Sequence, residues 1–75
     1  MDAVEEQRAL LIREIARIVA KARVDGRLLR AAPHAVTLLS TYPDAHLSMD
    51  RILDEIVIAA SAAKVPVEIA HPESA

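Results

Sequence analysis

The chain has 75 residues, enough for one small domain and too few for a cofactor-binding fold of ordinary size. Hydrophobic residues make up 53% of it, yet Tyr42 is the only aromatic and there is no cysteine. The core must therefore be aliphatic, and no disulfide framework, thiolate metal site or thiol chemistry is available. A net charge of −2 with 27% charged residues is an ordinary globular composition, and a chain this short without staples is expected to associate with a partner.

Met1 to Glu6 carries acids where a secretion signal would carry cations. The longest apolar or small run, Ile56 to Ala63, falls well short of the roughly 20 residues that span a bilayer. The expected setting is cytoplasmic, with no membrane contact.

Asp2, with Glu5 three positions on, is a helix-starting pattern, and acids suit the positive end of the helix dipole. Val4, Leu11, Ile12, Ile15, Ile18, Val19 and Ala22 recur at three- and four-residue spacing, so a helix over about 3–24 should turn this stripe to the core. Asp25-Gly26 supplies the left-handed residue that ends it. Leu29, Ala32, Val36 and Leu39 keep helical spacing. Pro33 is tolerated only in an opening turn, which places a second helix over about 30–41, stopped before Pro43. Ser48 is a good N-cap for a third helix over about 49–63 that buries Met49, Ile52, Leu53, Ile56, Ala59, Ala60 and Ala63. Residues 65–69 alternate as a half-buried strand does, and 71–75 are expected to fray. The fold class read from these elements is all-α: a small three-helix unit with a long N-terminal helix and a short extended C-terminal segment.

Chemistry is limited by what is missing. One glycine, Gly26, cannot build a phosphate-cradling loop, and His34, His46 and His71 are too far apart to form a helical zinc pair. His46 and Asp50 read as a loop histidine beside an exposed carboxylate. Ser40, Thr41 and Tyr42 read as caps at a helix end. Asp54 and Glu55 point about 100° apart on a helix, too divergent to share a proton. No catalytic residue, cofactor or metal is therefore expected, and the chain reads as a non-enzyme.

Two kinds of partner remain. The leading expectation is a protein–protein interaction or regulatory role, as a homodimer or with another protein, through Leu10, Ile58, Val65, Val67 and Ile69. Leu10 and Ile58 project away from the core stripes, and Ala9, Ala16 and Ala20 form a second, small-residue surface on the first helix. A lone strand at Val65 to Ile69 has no second strand in sight, so it is expected to pair with its own copy across a two-fold axis, to pack extended over a helix of its own or a neighbouring subunit, or to accept a strand from another protein. The alternative is nucleic-acid binding. Residues 8–30 hold seven basic side chains against two acidic ones, with Arg13, Arg17, Lys21, Arg27 and Arg30 as candidate contacts. Against it stand Pro33 and the few polar readers, Arg30 and His34, after the turn, an overall pI of about 5.8, and the lack of aromatic stacking residues.

Overall fold

Asp2 opens the first helix as the sequence predicts, its carboxylate accepting the Val4 N–H at 3.0 Å. In the computed structural model, which describes residues 2–69, α1 runs over Ala3–Asp25 and buries Leu11, Ile15 and Val19. It ends at Gly26, whose φ of 64° is left-handed. There the Arg27 N–H reaches back to the Ala22 carbonyl at 3.1 Å and the Gly26 N–H to that of Arg23 at 3.3 Å. These two bonds satisfy carbonyls that the end of a helix otherwise leaves open.

The chain then forms a two-residue strand, β1 (Leu29–Arg30), and enters α2 (Ala31–Thr41) directly. Pro33 sits in the first turn of α2, where its missing N–H costs little. A single 3-10 turn, Pro43–Ala45, leads to α3 (Met49–Ala62), whose N-cap Ser48 accepts the Arg51 N–H at 3.1 Å. After α3 the chain extends into β2 (Val67–Glu68), which pairs in parallel with β1 in the register Leu29 to Val67 and Arg30 to Glu68. Among the described residues the result is an all-α unit of three helices with one minimal strand pair, and the expected fold class stands.

The core is aliphatic throughout. Leu11, Ile15 and Val19 of α1 share one buried cluster with Ile52, Leu53 and Ile56 of α3, Leu38, Leu29 and Val65, and with the alanines Ala31, Ala35, Ala45 and Ala60; Tyr42 packs against it partly buried. Alanine among the buried residues lets a core of this size fill without large rings.

Three sequence expectations need correction. Val36 and Leu39 are exposed, and α2 buries Ala31, Ala32, Ala35 and Leu38 instead. The phase shifted because Leu29 reaches the core from β1, so counting helical spacing from it points at the wrong face. Ile12, assigned to the core stripe, is 44% exposed at its edge. The largest correction concerns the tail. Its backbone is paired within its own chain, the Leu29 N–H donating to the Pro66 carbonyl at 2.9 Å, and Val65 is core at 6% exposure. A parallel pair needs a long crossover, which α2 and α3 supply. The expected fraying of 71–75 lies outside the described residues.

α3 terminates with the same hydrogen bonds as α1: Val65 N–H to Ala60 O at 2.8 Å and Lys64 N–H to Ser61 O at 3.1 Å. Here, however, the left-handed position is filled by Lys64, at φ 59°. Lys64→Gly is thus expected to stabilise the protein by about 0.5 kcal/mol, the relief of strain being offset in part by a freer unfolded chain. Gly26→Ala is expected to cost about 1 kcal/mol, by strain alone, since an added Cβ would meet nothing within 4 Å. Urea denaturation of both variants checks the pair, whose effects must have opposite sign.

Candidate functional site

α1 is long enough to present two separate faces. On its α3 side, Ala16, Ala20 and Val24 face Ala59, Ala62 and Ala63 across an open groove of about 530 Å³, with Arg23 at its edge. Val24 is 86% exposed. Ile58, at 62% exposure, projects from α3 one turn before Ala62. Toward the helix N-terminus the same side continues as a second hollow bounded by Arg8, Ile12, Leu47, Arg51 and Glu55. Its charges are partly engaged: Arg51 pairs with Glu55 at 3.1 Å, and the Arg8 Nε–H donates to the Ala45 carbonyl at 2.8 Å. The apolar part therefore lies on the alanine-rich half and at Ile12.

On its α2 side, α1 borders a cleft of about 460 Å³ floored by Ile18, Leu28 and Leu29 and rimmed by Arg17, Lys21, Arg27 and Arg30. Four of the five cations singled out from the sequence thus come together, although α1, the following turn and β1 each supply some of them. Arg13 does not line this cleft. Arg17 is held by Glu14, its Nε lying 2.9 and 3.1 Å from the two carboxylate oxygens. The bond from Arg17, reinforced by its charge, keeps the Glu14 carboxyl below the usual carboxylate range. Because the folded-state value is the lower one, the pair's small contribution is present at neutral pH and lost as pH falls through that value. Both groups are on the surface, so salt screens the interaction.

Of the hydroxyls at the end of α2, that of Thr41 donates to the Thr37 carbonyl at 2.8 Å, and inside the helix Thr37 donates in the same way to the Pro33 carbonyl at 3.1 Å. No group of three or more metal-ligating side chains gathers among the described residues, and no described helix is long and apolar enough to cross a membrane.

Of the five residues read as a partner interface, Ile58, Ile69 and Leu10 are exposed, Val67 is half-buried in the strand pair, and Val65 is enclosed. Burial removes Val65 from any docking surface. The sequence reading missed Ile12 and Val24 as surface groups. A signal for that face existed: Glu5 and Arg23 are eighteen residues apart, a whole number of helical turns, with Ile12 and Ala16 close to the line joining them. No family model, curated protein or solved structure matches this chain, so its functional reading rests on these two faces alone.

Proposed function

We propose that the chain is a small, non-catalytic interaction protein of the cytoplasm that associates with a second copy of itself through the α3 side of α1. One observation supports this above the others: along that line of α1, charge and side-chain size are arranged to complement their own reversal. Glu5 lies at one end and Arg23 at the other, both exposed, and neither is in an ion pair among the described residues. The exposed Ile12 and the small Ala16 lie at equal distances on either side of the midpoint near residue 14. An antiparallel copy related by a two-fold axis there brings Glu5 of each chain to Arg23 of the other and Ile12 of each to Ala16 of the other. That is the self-complementarity an isologous contact requires. The alanine-lined groove, with the exposed Val24 in its wall, supplies the apolar surface that the contact removes from water.

Light scattering coupled to size exclusion tests the proposal. The full chain is expected at twice its 8.1 kDa mass. Ala16→Arg, which leaves the core untouched, is expected to weaken association at least about 100-fold by placing a bulky charge in the contact. Glu5→Arg alone should weaken association slightly, and adding Arg23→Glu should restore it. A full chain that stays at 8.1 kDa at high concentration overturns the reading.

A further inference from the structure

We propose that the cleft between the second half of α1 and the start of α2 binds a small soluble amphiphilic anion, a carboxylate or phosphate monoester on a short hydrocarbon body. The rim and the floor of the cleft demand different things of a ligand. Lys21, Arg27 and Arg30 stand on the rim without an ion-pair partner within 4.0 Å among the described residues. Arg17 is already matched by Glu14, and Asp25 is the one acid lining the cleft. The rim therefore keeps an excess of positive charge after its own acids are counted. The adjoining end of α2 adds to this field: its first turn contains no acid and its N-cap, Arg30, offers no side-chain acceptor.

The apolar part of the lining is Ile18, Leu28 and Leu29, with Leu28 52% exposed. Inorganic phosphate would answer the cations and leave this floor wet. A neutral hydrocarbon would cover the floor and leave the cations unanswered. A molecule with one anionic end and a short apolar body satisfies both, and a volume of about 460 Å³ is in the range of small-molecule sites. A nucleic-acid strand fits less well. Its phosphates could meet the rim, but the floor offers no aromatic ring for base stacking. The cleft opens on the α2 side of α1, so the proposal does not depend on self-association through the opposite side.

The test is a titration of the 15N-labelled full chain with monomeric octyl phosphate, followed by amide shifts. Parallel titrations use inorganic phosphate, 1-octanol, anionic lipid vesicles and a short DNA duplex. Octyl phosphate is expected to move the amides of Lys21, Ala22, Arg27 to Arg30 and His34 saturably, and to bind at least about tenfold more tightly than inorganic phosphate or 1-octanol. The double variant Lys21→Ala with Arg27→Ala, both exposed, is expected to keep its fold and lose about tenfold in affinity, as removal of charge-assisted contacts implies. Leu28→Ser should weaken octyl phosphate and leave inorganic phosphate unchanged. Equal binding of 1-octanol, scattered shifts, or no saturable shift would overturn the proposal. So would binding to vesicles without binding of the monomer, or a salt-steep response of the same amides to the duplex alone.

Discussion

Ile56→Ala is expected to lower the free energy of unfolding by about 3 kcal/mol. Ile56 is 1% exposed on the inner face of α3, in the cluster that joins Ile52 to Leu11 and Ile15. Truncating it loses the transfer free energy of three carbons and leaves a cavity. The cavity term is large here because the buried cluster that holds Ile56 includes the alanines Ala31, Ala35 and Ala60, which have no side-chain torsion with which to fill space. A 75-residue domain has roughly 4 to 11 kcal/mol in total, so the loss is a large share of its stability. Urea titration should show a lower midpoint with an unchanged slope. Val36→Ala, on the exposed side of α2, should change stability by less than about 0.5 kcal/mol. Equal effects at both positions would mean that the α3 face is not enclosed as described.

Truncation after Lys64 is expected to destabilise the protein by about 3 kcal/mol or more. The cut removes Val65, which seals the core beside Ala60, and it removes β2 from β1. Leu29, now 3% exposed, would be uncovered and its N–H would lose the Pro66 carbonyl. Thermal melting followed by circular dichroism measures the loss. Ile69→Ser, which alters an exposed side chain beyond the strand pair, serves as the control and should change stability little. A truncated chain with the stability of the full one would show that the segment is an appendage rather than part of the fold.

These two outcomes mark where the fold was readable from residues alone. The three helices were legible because their ends carry local chemistry: Asp2 and Ser48 as N-caps, Gly26 as a left-handed terminator, and Pro43 as a stop. The third helix was also legible in its inner face, since Ile52, Leu53, Ile56 and Ala60 follow one period from a definite start. The second was not. A two-residue strand leaves no periodic trace, so Leu29 was counted with the helix that follows it and the buried face came out rotated. The same short strand hid the partner of the tail, because a parallel pairing across thirty-eight residues has no local signature.

The candidate faces were partly legible for a related reason. The cations of residues 8–30 could be counted, but that Lys21, Arg27 and Arg30 surround one cleft depends on the turn at Gly26 and on the direction in which β1 leaves it. Ile12 looked like core because its spacing fits the stripe. Only the position of α3 beside α1 shows that the stripe is narrower than its apolar residues and that Ile12 lies at its margin. Leu10 and Ile58 were correctly expected at the surface, since neither shares a helical face with the residues that dominate the core.

The most direct test of self-association is a paramagnetic measurement on mixed chains. A nitroxide is attached at Val24→Cys, the sole thiol in an otherwise cysteine-free sequence, on unlabelled protein that is then mixed with 15N-labelled chain. Residues 24 and 4 are about 30 Å apart along one helix but meet across an antiparallel two-fold contact. Antiparallel pairing through α1 is expected to give distance-dependent broadening of the amides of Ala3 to Gln7 in the labelled chains. No intermolecular broadening, or broadening centred on Ala20 to Val24, would contradict it.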